Sequence, residues 1–196
     1  MDSRKAYTIV GIAPKEIQQK FDTLKNKLSL FQSDVKDREE HIILKNTVHF
    51  AIKRTFYLKE DVNEENLLKI LNDLSFSPLR ITCSESGIFE QSNYGTIVFA
   101  KVSLDSKLYA LYQQIKRLID NLIETKNPEY EGEGWTPHIT FVYNVPQERI
   151  PAVKNALDRE LLPIEFNLDK IYLLKEYNIE QDERELLKEI IPTLSF

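Results

Sequence analysis

The sequence predicts an α+β fold built from two similar halves, and three observations carry that reading. Stretches rich in β-branched and aromatic residues, such as AYTIVGIA (6–13) and GTIVFAKVSL (95–104), alternate with longer segments whose apolar residues recur every three or four positions. The order strand, amphipathic helix, strand, helix occurs twice. Each occurrence sets one histidine in the middle of a strand, His49 in the first and His138 in the second.

AYTIVGIA is the first strand. Pro14 suits the first turn of the next helix, where its missing N–H is no loss, and Ile17, Phe21, Leu24 and Leu28 line one side of that helix. A charged connector, QSDVKDREE (32–40), leads to the strand NTVHFAIKRTF (46–56) and to a second helix marked by Leu67, Leu68, Leu71 and Leu74. The second half opens with PLRITCSESGIFE (78–90) and GTIVFAKVSL, two strands joined by a polar turn around Asn93 and Gly95. Asp105 is placed to cap a long helix with Leu108, Leu111, Tyr112, Ile115, Leu118, Ile119 and Leu122 inward. The acidic NPEYEGEGW (127–135) then runs into the strand TPHITFVYN (136–144), a short helix within PQERIPAVKNALDREL (146–161), and a strand in PIEFNLDKIYLLKEY (163–177). The tail ERELLKEIIPTLSF (183–196) fits helix or strand by period alone, and strand is the expectation.

With 42% hydrophobic and 29% charged residues over 196 positions, the chain has the apolar material for one sizeable core, so a single domain over 1–196 is expected, made of two pseudo-symmetric halves. A net charge of -5 and a pI near 5.4 argue against an extended surface for long nucleic acid, which must neutralise many phosphates. A small anionic substrate or the phosphate end of an RNA needs only a few local cations. Cys83 is the single cysteine, which excludes an internal disulfide and a thiolate metal cluster and fits a reducing cytoplasm. The apolar run in MDSRKAYTIVGIAPKE (1–16) is broken by Gly11 and Pro14 and is too short for a signal peptide, and no stretch is long enough to span a bilayer. The expectation is a soluble cytoplasmic monomer with no membrane partner.

The two histidine strands have the same pattern. Side chains alternate faces along a strand, so Ile139, Phe141 and Tyr143 can face a core while His138, Thr140 and Val142 share the other side. In the first half Val48, Phe50 and Ile52 are the apolar set, and Thr47, His49, Ala51, Lys53 and Thr55 fall opposite. His49 and His138 thus occupy equivalent places, and two histidines converging from two half-domains would make a symmetric acid/base pair. His41, in the charged connector, reads as a surface residue.

Pro137-His138-Ile139-Thr140 and His49-Phe50-Ala51, followed by Lys53 and Phe56, make the chain resemble the 2H phosphoesterase superfamily, in particular its 2′-5′ RNA ligase-like and cyclic phosphodiesterase members. The resemblance runs from YTIVGIAP to about IYLLKEYN. It implies a two-lobed fold with antiparallel sheets flanking a central cleft and helices outside, and His49 and His138 as catalytic residues. It also implies metal-independent action, without a cofactor, on a nucleotide or RNA-end phosphate. The second motif is complete; the first lacks the hydroxyl residue of the His-x-Thr/Ser pattern, with Ala51 in its place.

The chemistry accounts for two imidazoles. Opening a 2′,3′-cyclic phosphate requires one group to take a proton from the attacking oxygen and another to give one to the leaving oxygen, and histidine can do either near neutrality. A hydroxyl two residues on, Thr140, shares the histidine's face and can donate to a non-bridging phosphate oxygen. Where Ala51 lacks that donor, Lys53, Thr47 and Thr55 are candidates to replace it, Lys53 first because an ammonium adds charge. Trp135 and Tyr130, in the loop before the second motif, are lid or base-stacking candidates, with Phe89, Tyr94 and Tyr143 also near the motifs; Tyr143 is the weaker one because alternation turns it away from His138. The rival expectation, favoured by Ala51, is a nucleotide- or RNA-end-binding protein of the same fold with reduced or lost catalysis.

Overall fold

Hydrophobic alternation produces strands β1 (Ala6–Ile12), β2 (His49–Leu58), β3 (Leu79–Ser92), β4 (Gly95–Val102), β5 (Ile123–Thr125), β6 (His138–Val142), β7 (Ile164–Leu168), β8 (Ile171–Asn178) and β9 (Glu183–Ile190). The three-to-four-residue repeat produces helices α1 (Lys15–Lys27), α2 (Glu64–Ile70), α3 (Ser106–Ile119) and α4 (Ile150–Ala156). This computed structural model describes residues 5–30, 47–92, 95–178 and 183–190. His41 and Tyr94 lie outside the described residues, as does most of the polar turn around Asn93.

The strands form one antiparallel sheet in the order β7-β3-β4-β6-β2-β1-β8-β9, with β5 paired to the end of β2. The order β1-α1-β2-α2 recurs, with the short β5 inserted before β6, as β4-α3-β5-β6-α4, so the expected α+β duplication is present. The two histidine strands, β2 and β6, meet at the centre of the sheet. Each is flanked by three strands of its own half, β1, β8 and β9 on one side and β4, β3 and β7 on the other.

One face of the sheet carries the main core. Phe50 and Ile52 of β2 and Ile139 and Phe141 of β6 pack with Ile17, Phe21 and Leu24 of α1 and with Leu108, Leu111, Tyr112, Ile115 and Ile119 of α3. Burying each such side chain stabilises the fold by roughly 1.5–3 kcal/mol, and this sets which face of β2 and β6 turns away from the histidines. Asp105 caps α3 as expected, its Oδ1 accepting from the Leu108 N–H at 2.8 Å. Asp105→Ala should therefore lower the free energy of unfolding by about 1 kcal/mol in urea titration, and an unchanged midpoint would show that the cap contributes nothing.

Two elements differ from the sequence reading, and the tail follows it. The stretch PIEFNLDKIYLLKEY forms two strands: β7 pairs with β3 and β8 pairs with β1, so the break at Asp169–Lys170 carries the chain from one half to the other. Both pieces alternate, so period alone does not show the break. Helix α3 ends at Ile119, and Ile123–Thr125 becomes the short strand β5. The tail is a strand through Ile190, and residues 191–196 lie outside the described residues. Among the described residues no helix is long and apolar enough to cross a membrane.

Candidate active site

β2 and β6 run antiparallel with Phe50 opposite Ile139. One residue to either side of that pair, the register sets His49 opposite Thr140 and Ala51 opposite His138. Directly opposed residues share a face, and diagonal neighbours have Cα atoms about 7–8 Å apart, with side chains somewhat closer. The two histidines are such diagonal neighbours, on the sheet face away from the main core.

Both rings are held in the same way. His49 Nδ1 lies 2.7 Å from the Thr47 carbonyl oxygen, and His138 Nδ1 lies 2.9 Å from the Thr136 carbonyl oxygen, two residues back in each case. A carbonyl oxygen only accepts, so each Nδ1 carries the hydrogen and each Nε2 is the atom through which the ring exchanges a proton with a ligand. Both histidines are half-buried.

Strict alternation fails in β2. Between Tyr7↔Phe56 and Ile9↔Lys53, one residue of β1 faces two of β2, and between Ile9↔Lys53 and Val10↔Ala51 another extra residue enters β2. Such bulges re-aim the side chains beyond them. As a result Ile52 and Lys53 are both fully buried, and Arg54 and Thr55 are both half-buried. Thr8 Oγ1 donates to the Lys53 carbonyl at 3.0 Å, supplying that carbonyl with a partner inside the irregularity.

Lys53 is therefore not a cleft cation. Its Nζ lies 2.8 Å from Glu131 Oε1 and donates to Thr125 Oγ1 at 3.0 Å, in a site with no solvent exposure at the lysine. Tyr112 Oη donates to Glu131 Oε2 at 2.7 Å and accepts from the Gly132 N–H at 2.8 Å. Gly132 has φ +61, a left-handed conformation suited to glycine. This network pins the acidic loop before β6. Arg54 is the cation that the sequence reading missed: its guanidinium carbon lies 4.5 Å from the centre of the Tyr130 ring, and its charge reaches His138. Two bulges in one strand leave no sequence signal that would have selected it over Lys53.

The cleft face differs between the halves. Around His49 and Ala51, the cross-strand partners Ile12, Val10 and Tyr172, with Leu174, form a small apolar cluster separate from the main core. Around His138 the floor is aromatic: Phe99, opposite Thr140, stacks on Phe89 at 4.2 Å, and the His138 ring meets Phe89 edge-on at 4.8 Å and Phe99 at 5.1 Å. Burial holds the His138 pKa below the ordinary imidazole value, and the Arg54 charge acts in the same direction against the Thr136 hydrogen bond.

Of the other candidates, Thr140 is half-buried on the cleft face and Tyr130 is 46% exposed above Arg54. Trp135 is 4% exposed and stacked on Tyr112 at 4.2 Å, which makes it part of the core and not a lid; the alternation that frees Thr136 turns Trp135 inward. Tyr143 lies just beyond the end of β6, half-buried. An open pocket of about 360 Å³ adjoins the Thr136 end of the site, lined in part by Ser84, Glu85, Lys101, Ser103 and Pro137.

Residues 14–180 match the model of a family described as the 2′-5′ RNA ligase superfamily. An RNA 2′,3′-cyclic phosphodiesterase of Methanocaldococcus jannaschii is 30% identical over 121 residues, which is 61% of this chain and 64% of that protein, so the match spans a little under two thirds of that relative's length. Among solved structures, TT0787 of Thermus thermophilus superposes with a TM-score of 0.64 at 16% identity, covering 95% of this chain and 97% of that one. E. coli LigT complexed with 3′-AMP superposes with a TM-score of 0.61 at 14% identity, covering 97% and 99%, and the same E. coli protein has been solved with ATP and with NADP+. These structures share the fold.

Proposed function

Since this chain belongs to the 2′-5′ RNA ligase superfamily, we propose that it is a 2H-type phosphodiesterase. In this reading it opens 2′,3′-cyclic phosphates at RNA ends or in small cyclic nucleotides by two-histidine acid/base catalysis without a metal. The observation that carries the reading is the matched pair of imidazoles, each tied through Nδ1 to the carbonyl two residues back, on adjacent strands at diagonal spacing. The relative from M. jannaschii supports the choice of a cyclic phosphate.

His138, kept neutral by burial and by the charge of Arg54, takes the proton from water as its oxygen attacks phosphorus. The bond from phosphorus to one ribose oxygen breaks, and His49 gives that oxygen its proton. Water is consumed, and a 2′- or 3′-phosphomonoester remains. Thr140, opposite His49, donates to a non-bridging oxygen, and Arg54 supplies positive charge on the side where Ala51 has no hydroxyl. Burial pushes the Cys83 thiol up to about 12, so it is inert to the chemistry, and a reducing cytoplasm suits an unpaired buried thiol.

Two outcomes follow. Incubated in EDTA with 2′,3′-cyclic nucleotides, cyclic-phosphate-ended RNA, linear 2′-5′ and 3′-5′ dinucleotides and cyclic dinucleotides, the protein should turn over the cyclic phosphates. Loss of that turnover in EDTA, restored by a divalent ion, would contradict the mechanism. The rate should follow a bell with pH, its limbs belonging to the pair. The acidic limb should fall below the ordinary imidazole value of about 6.5, because the neutral form of His138 persists to lower pH. Ala51 favours a second reading, a nucleotide-binding protein with little turnover. Tight binding of a nucleoside 3′-phosphate with no hydrolysis of any cyclic phosphate would establish it.

A further inference from the structure

Two consecutive residues of β2 hold two consecutive residues of the loop before β6. Inside, Lys53 Nζ meets Glu131 Oε1; outside, the Tyr130 ring lies over the Arg54 guanidinium, whose carbon is 4.5 Å from the ring centre. The loop is fixed on both sides of Tyr130. Before it, β5 pairs with the end of β2, and the Lys126 N–H donates to the Thr55 carbonyl at 3.1 Å. After it, Lys53 and Tyr112 anchor Glu131, and the chain turns back so closely that a Cβ on Gly134 would sit 2.4 Å from the Glu129 carbonyl oxygen. This anchored loop leaves Tyr130 46% exposed, outside the core, with Arg54 beneath it.

The two neighbouring cations of β2 differ in what is left to them. The buried Lys53 ammonium is taken up by Glu131 and Thr125. Among the described residues no carboxylate lies within ion-pair distance of the half-buried Arg54 guanidinium. An aromatic ring occupies one flat face of a guanidinium and leaves the N–H groups, which point outward in its plane, for an anion. We propose that Tyr130 is a positioning residue, whose ring holds the Arg54 guanidinium with its in-plane N–H groups turned to the phosphate between His49 and His138. The inference rests on the phosphodiesterase reading and names what places the cation in that site. An arginine side chain has several freely turning bonds, and a ligand that must order them loses affinity. Tyr130 orders them before the ligand arrives. The Arg54 charge already acts on His138 from this place.

The test is equilibrium binding of adenosine 3′-phosphate, which does not depend on turnover. Arg54→Met should weaken binding by about tenfold or more, the loss of a charged hydrogen-bond donor. Tyr130→Leu should weaken it by about two- to fivefold, the worth of an exposed cation–π contact, and Tyr130→Phe, which keeps the ring, should bind as the wild type does. In the Arg54→Met background Tyr130→Leu should change nothing further, because its effect passes through the guanidinium. Loss of the same factor in both backgrounds would overturn the proposal by showing that Tyr130 acts on the ligand or the loop directly. Full affinity in Tyr130→Leu or in Arg54→Met, or a loss in Tyr130→Phe equal to that in Tyr130→Leu, would also overturn it and leave the phosphate site standing. If the wild type binds no adenosine 3′-phosphate, the phosphodiesterase reading fails together with the positioning role.

Discussion

Replacing His138 with alanine should lower kcat on a 2′,3′-cyclic nucleotide by about 10²–10⁴, and replacing His49 should cost a similar factor. Both rings are half-buried on the face away from the main core, so circular dichroism and the urea midpoint should change little. The two losses should not multiply in the double variant, because acid and base act in one step. The assignment of roles gives a sharper outcome. A p-nitrophenyl leaving group needs no proton, so on a nucleoside p-nitrophenyl phosphodiester His49→Ala should recover most of its lost rate and His138→Ala should not. Recovery by His138→Ala instead would exchange the roles. Wild-type rates for either variant would remove the pair.

Lys53→Ala should be the most destabilising single change near the site, by about 3–5 kcal/mol, since it leaves the Glu131 carboxylate buried without its cation. The urea midpoint measures this directly. Lys53→Met combined with Glu131→Gln should recover much of the loss, because both charges are removed together. A cation placed on the substrate phosphate would behave in the opposite way, with stability unchanged and KM raised. That opposite result would return Lys53 to the cleft and contradict the bulge in β2.

The faces of His49 and His138 were legible because the residues next to each histidine alternate and the two sit in repeated surroundings, so face follows from parity. Ala51 and Thr140 were legible for the same reason, and the register adds that each lies opposite the other half's histidine. Parity also explains the failures. Lys53 sits four residues past His49 and should share its face, but extra residues in β2 turn it to Glu131 and bring Arg54 to the site. A bulge inserts no characteristic residue here, so the sequence carries no mark of it. Trp135 was misplaced because its loop composition suggested mobility, when the Tyr112, Glu131 and Gly132 contacts hold the loop against α3.

The account turns on two Nε2 atoms acting on one phosphate. Nitrogen-15 spectra of imidazole-labelled protein, titrated with adenosine 3′-phosphate, observe those atoms directly. The ligand-free protein should show His49 and His138 in the Nδ1–H tautomer. Added ligand should then move both Nε2 resonances along one saturation curve and leave both Nδ1 resonances bonded as before. A response from a single histidine, or saturation of the two at different ligand concentrations, would contradict a shared phosphate.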